Sequence, residues 1–181
     1  MQNFVRILAS TLLLVITTGA SAQPISLDFD DETFLHRWSQ GDQHEFTPRG
    51  QEELSAWEEM LTVIDFPAVR DDEALTGVVK SILGMYQTNG TILGTAFVGP
   101  TETSEAERLV VAQLGYGLEL EVVFARILLA HRQGVAIVYS KRFGEAASEP
   151  LVSAWVEENI QGKMDSILAW SGLPPPEAFS N

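Results

Sequence analysis

Three histidines, His36, His44 and His131, stand among 25 Asp and Glu residues, and these are the groups with the most chemistry to offer. Two imidazoles converging with a carboxylate would give general acid-base catalysis or a metal site. The spacing argues against that convergence. With Gly41-Asp42 as a two-residue hairpin turn, Trp38 pairs with Glu45 and His36 with Thr47, which leaves His44 on the opposite face from His36. A three-residue turn would alter this register. His44-Glu45 also lacks the second histidine four residues on that a helical zinc site requires. No metal site and no cofactor are expected. The acidic run Asp28, Asp30, Asp31 and Glu32 has neither the glycine nor the closing Glu of a calcium loop, and reads as a solvated edge. Neither Gly-x-Ser-x-Gly nor Ser-x-x-Lys occurs, and Gly115-Tyr116-Gly117 lacks the third glycine of a dinucleotide loop. Paired carboxylates for glycoside chemistry have no identifiable position in so acidic a chain. Catalytic residues therefore remain unassigned.

What is left is a set of aromatic and cationic groups in or beside strands: Trp38, Trp57, Tyr139 and Arg142. Such residues more often build a core, but exposed around a groove they form a binding surface, since Trp, Tyr and Arg dominate binding hot spots. Arg126 interrupts an apolar strand. A charge there needs a partner, either Glu121 or an acid across the sheet, and the sharper reading is an anion or carboxylate contact in a pocket.

These groups must be carried by an ordinary core. The 181 residues are 45% hydrophobic and 20% charged, with no cysteine, so disulfides, thiolate metal sites and cysteine nucleophiles are excluded together. Eleven Lys and Arg leave a net charge of -14, and such a field repels phosphate backbones and anionic lipid. Nucleic-acid binding is set aside, because the dense basic spots are only His131-Arg132 and Lys141-Arg142. Residues 1–22 begin with one cation, Arg6, continue with an apolar stretch from Ile7 to Ile16 and end in Ala20-Ser21-Ala22. That is the pattern of a cleaved secretory signal, and the apolar stretch is far short of the roughly 20 residues of a membrane span. The expectation is an exported protein, periplasmic or secreted, with no span after cleavage. Residues 23–173 form a single domain, and residues 174–181 a flexible tail.

Along the chain, residues 24–32 suit an extended edge, and residues 33–47 read as a hairpin around Gln40 to Gln43. Pro48-Arg49-Gly50 is a break, and residues 51–57 read as a short helical turn. Residues 59–66 form a strand with Met60, Thr62, Ile64 and Phe66 on one face. A helix follows Pro67, capped by Asp71 or Asp72 and buried along Leu75, Val78, Val79, Ile82, Leu83 and Tyr86. Residues 91–98 and 108–114 pair antiparallel. Residues 119–130 satisfy both helical and strand periods, with β-branched content favouring a strand. Residues 131–134 form its turn, and residues 135–142 the next strand. A last helix spans about 149–170, with Ser148 as cap and Pro150 in its first turn. Runs of consecutive strands between helices give an α+β fold, a largely antiparallel sheet packed by two long helices as an α/β sandwich.

The segment Glu45 to Thr62, with Pro48-Arg49-Gly50, Trp57 and Met60-Leu61-Thr62, resembles a class of small exported bacterial proteins of unassigned activity. Val138-Tyr139-Ser140-Lys141-Arg142 and the ending Ala169-Trp170-Ser171-Gly172-Leu173-Pro174 extend that resemblance over most of the chain. The order of elements is also loosely similar to the PsbP/Mog1 type of α-β-α sandwich. That resemblance implies a scaffold that binds or assists assembly, and it brings no catalytic residues.

The function expected is therefore that of an exported, non-enzymatic binding or accessory protein for a protein or small-molecule partner, an acidic surface being suited to a basic one. The alternative is a periplasmic hydrolase with dispersed Asp, Glu and His. A concave site where His131 or His36 meets a carboxylate would favour the hydrolase, and a flat apolar patch carrying tryptophan would favour the binding protein.

Overall fold

Strands buried on both faces read as near-continuous apolar runs, and here each side of the sheet has its own helix. The computed structural model describes residues 25–101, 105–116, 119–144 and 148–179. The expected signal segment, residues 1–22, lies outside these. Eight strands form one antiparallel sheet: β1 (Ser26–Phe29), β2 (Glu32–Gln40), β3 (Gln43–Pro48), β4 (Glu59–Phe66), β5 (Gly90–Val98), β6 (Glu107–Tyr116), β7 (Glu119–Ala130) and β8 (Gln133–Phe143). Their spatial order is β1-β2-β3-β4-β8-β7-β6-β5. Helix α1 (Asp72–Asn89) carries the chain from β4, inside the sheet, to β5 at the far edge. Helix α2 (Glu149–Ala169) follows β8.

The stripe Leu75, Val78, Val79, Ile82, Leu83 and Tyr86 seats α1 on one face, against Val110, Ala112, Val123 and Ala125. Val152, Trp155, Val156, Ile160, Met164, Ile167 and Leu168 seat α2 on the other, against Val111, Val122, Phe124 and Ile137. Asp71 caps α1 by accepting from the Ala74 amide at 2.8 Å, which satisfies one of the free donors of the first turn. Ser148 stands at the N-cap of α2 with no side-chain cap bond, and Pro150 occupies the first turn, where no amide hydrogen is needed. Residues 119–130 are a strand, as β-branching indicates.

Three expectations are corrected. Residues 51–57 form turns rather than a helical turn, held by the Gln51 side-chain oxygen, which accepts from the Glu58 and Glu59 amides at 2.7 and 2.9 Å. The β7-β8 turn is only His131-Arg132, because Gln133 and Gly134 already pair with Ala130 and Leu129. The C-terminal segment expected as a free tail is seated through its last described residues. Pro176–Phe179 form a 3-10 turn, and Phe179 packs against His44 and Phe46.

Candidate functional site

The β2-β3 hairpin places the histidines. Its two-residue turn, Gly41-Asp42, pairs Gln40 with Gln43, Ser39 with His44 and Trp38 with Glu45, as the spacing predicts. A bulge at Arg37 then shifts the register by one residue, so His36 pairs with Phe46 and not with Thr47. Because side-chain direction alternates along a strand, the extra residue turns His36 to the face that carries His44. The expected separation of the two histidines is therefore overturned, and their rings lie 6.4 Å apart. Arg37 holds the bulge in place, donating to Thr47 Oγ1 at 3.0 Å and to the Pro48 carbonyl at 3.2 Å.

A polar chain runs from this hairpin into the sheet on the α2 side. Ser39 Oγ lies 2.7 Å from His36 Nε2 and 2.7 Å from His44 Nδ1. His44 Nε2 lies 3.8 Å from Asp65 Oδ2, and Gln133 donates to Asp65 Oδ1 at 2.6 Å. A serine hydroxyl has one proton, so it donates to one imidazole and accepts from the other. With His44 Nδ1 as acceptor, the remaining proton on Nε2 points toward the Asp65 carboxylate. His44, Asp65 and Gln133 are buried, and the Phe179 ring stacks on His44 with centroids 4.0 Å apart. Beside them lies a half-open cavity of about 280 Å³, bounded by Asp42, His44, Asp65, Gln133, Pro176 and Phe179.

Burial sets the charge states here. It pushes the His44 pKa down, with Asp65 opposing and His36 reinforcing that shift. His36 is also lowered, chiefly by burial. Burial pushes the Asp65 carboxyl up, against the Gln133 hydrogen bond and the His44 charge. The arrangement thus offers a neutral imidazole as base, a hydroxyl within its reach, and a buried carboxylate that faces the far ring nitrogen. Among the described residues no cluster of three or more His, Asp or Glu is arranged to hold a metal ion.

The five residues singled out in the sequence fall elsewhere. Tyr139 is buried in the core on the α2 side, its ring centroid 5.5 Å from that of Phe29 and under the Lys163 ammonium at 4.7 Å. Arg126 is buried as well. Its Nε and one terminal nitrogen each lie 2.8 Å from a Glu107 oxygen, and its other terminal nitrogen donates to the Ile167 and Trp170 carbonyls at the end of α2. The partner is an acid on the neighbouring strand and not Glu121. Arg142 stacks on Trp57 at 5.0 Å and donates to the Ser55 carbonyl at 2.8 Å, stapling the 51–57 loop to β8. Trp38 faces Glu45 across β2 and β3, on the side of the sheet opposite His44. Burial raises the Glu45 carboxyl, and only the Gln43 hydrogen bond opposes that shift.

Ser39, Asp65 and Gln133 were not anticipated. A signal for Asp65 was present: from Met60 to Phe66 the strand is largely apolar on both faces, so the one carboxylate in that stretch has to be buried. Ser39 carries no such mark, because only the bulge brings both imidazoles to its hydroxyl.

No family profile matches the chain, and no curated protein matches it in sequence. Among solved structures it is similar to a point mutant of the protein Mog1, with a TM-score of 0.43 and 12% identity over 81% of this chain and 89% of that one. It is also similar to human STARD10, with a TM-score of 0.31 and 9% identity over 76% of this chain and 74% of that one.

Proposed function

We propose that this is an exported binding or accessory protein for a basic partner, and that it seats a cationic side chain of that partner in the cavity beside Asp65. One observation carries the reading: Asp65 lines the cavity, its Oδ1 accepting from Gln133 at 2.6 Å while its Oδ2 stands 3.8 Å from His44 Nε2, beyond hydrogen-bond reach. Oδ2 therefore keeps acceptor capacity for a donor that enters the cavity. An ammonium or guanidinium entering from solvent is such a donor, with Asp42 as a second carboxylate and Phe179 as an aromatic wall. The net charge of -14 steers such a partner toward the surface.

The test is affinity capture from periplasmic and envelope extract at low and high salt, with mass spectrometry of what is retained. A basic protein held at low salt, released at high salt and lost to a variant carrying Asp42→Asn and Asp65→Asn is the expected result. Equal retention by the variant, or nothing retained by either protein, would sink the reading.

A second reading, hydrolysis by Ser39, is favoured by the 2.7 Å contact between its hydroxyl and His44 Nδ1. Here His44 takes the serine proton and Asp65 steadies the imidazolium that forms. A fluorophosphonate probe is expected to leave one adduct on Ser39, and His44→Asn to abolish it. Labelling absent from Ser39, or unchanged by His44→Asn, would eliminate this chemistry.

A further inference from the structure

On the α1 side of the same end of the sheet, an open cavity of about 510 Å³ lies between Arg70, Glu105, Leu129 and the His131-Arg132 turn. Among the described residues its lining reverses the charge of the protein as a whole, with two guanidinium groups and an imidazole against one carboxylate, Glu105. Among the described residues neither Arg70 nor Arg132 has a carboxylate within ion-pair distance, whereas Arg37, Arg108, Arg126 and Arg142 each have one. With Glu105 in the lining but outside ion-pair distance of either arginine, an anion between the two guanidinium groups offsets their mutual repulsion.

The backbone is bent to make this arrangement. His131 and Arg132 have φ of 50° and 66°, in the left-handed region where a side chain crowds its own carbonyl. Two-residue hairpin turns of this kind normally carry Asn-Gly or Asp-Gly. The β1-β2 turn also uses positive φ, with Asp30 and Asp31, and Asp and His are types that tolerate it better than Arg. At β7-β8 one of the two positions falls to Arg132, and both turn residues line the cavity. Arg70 is fixed beside them: the Gly134 amide donates to the Val69 carbonyl at 2.8 Å, and Arg70 donates to the Arg132 carbonyl. Only glycine permits this approach, because a Cβ at residue 134 would come within 2.8 Å of Val69. The hairpin requires positive φ at both positions, and an arginine kept at one of them, beside an open cavity, fits the clustering of backbone strain at ligand sites.

We propose that this cavity binds a small multivalent oxyanion, a phosphate or polycarboxylate, between Arg70, His131 and Arg132. Planar guanidinium groups match the paired oxygens of either class, and the volume suits a small metabolite. The site is distinct from the Asp65 cavity, which lies on the opposite face, although the His131 charge is felt at the Asp65 carboxyl.

Calorimetric titration of the whole protein with inorganic phosphate and with citrate, in constant chloride, tests it. At least one anion is expected to bind with Kd below ~1 mM, and the tighter of the two identifies the class. Arg132→Gly is expected to weaken binding at least ~10-fold while raising Tm by about 2 °C, since glycine relieves the turn. Arg70→Gln is expected to weaken binding by a similar factor. Kd above ~1 mM for both anions, or unchanged affinity in both variants, would overturn the proposal. A gain in Tm without a loss of affinity in Arg132→Gly would overturn it as well.

Discussion

Exchange of Arg126 for methionine is expected to cost about 3–5 kcal/mol of folding stability and to lower Tm by roughly 6–20 °C. The guanidinium sits within the sheet, 7% exposed, and serves two partners at once. Toward β6 it makes a two-pronged pair with Glu107, whose side chain is only 13% exposed. Toward α2 it donates to the Ile167 and Trp170 carbonyls, which the helix itself leaves without donors at its C-terminal end. Methionine retains the volume but strands a carboxylate and two carbonyls in a setting with little water. The double variant, Arg126→Met with Glu107→Leu, is expected to recover part of the loss, because no charge is then left unpaired. Urea denaturation of the two single variants and the double variant checks this. A loss below about 1 kcal/mol for Arg126→Met would show that water replaces the guanidinium, and would reopen a ligand-binding role for this residue.

Arg126 also shows how far the sequence was legible. A charge inside an apolar strand demands a partner, so an acid across the sheet could be expected, but the choice of Glu107 over Glu121 depends on which way each carboxylate faces. Glu107 is two residues from Leu109, the position paired with Arg126, and shares its face. Glu121 faces the α1 side, paired with Leu114 and Arg142. The elements themselves follow from period and punctuation. The helical stripes of α1 and α2, the strand at residues 119–130 and the Gly41-Asp42 turn all rest on local chemistry that acts within a few residues. The bulge at Arg37 does not. It is stabilised by Thr47 and Pro48, about ten positions on, and nothing in residues 36–38 announces it. One inserted residue was enough to bring His36 and His44 to one hydroxyl, and so the candidate site escaped a reading based on an unbroken ladder. The C-terminal segment was misread for a related reason. Pro174-Pro175-Pro176 marks an exit from the helix, and a single aromatic after it has no periodic companion to indicate that it docks.

Ending the chain at Pro175 is accordingly expected to cost about 2 kcal/mol, from loss of the half-buried Phe179 side chain, and to lower Tm by roughly 4–8 °C. Phe179 stacks on His44 and meets Phe46 edge-on, with centroids 6.0 Å apart, so its removal opens both rings to water. A Tm change under about 1 °C would mean that the segment contributes no packing. The truncation also has a consequence for pH. In the folded protein burial holds His44 below its usual value of 6.5, so between the two values the unfolded chain binds more protons. Stability from this group is therefore fully present above about pH 6.5 and is lost as the pH falls through the folded-state value. His36 is lowered too and acts in the same direction. Asp65, which is raised, acts oppositely but in a more acidic window, starting at the ordinary aspartate value of 3.8. Removing Phe179 restores solvent to His44, raises its pKa toward 6.5 and shrinks the difference between folded and unfolded states. The intact protein is thus expected to lose stability between pH 7 and pH 5, and the truncated one to lose less over the same range. Denaturation at a series of pH values, with an NMR titration of the His44 ring in both proteins, measures the two slopes. Parallel slopes would show that Phe179 leaves the hydration of His44 unchanged, and with it the closure of the Asp65 cavity.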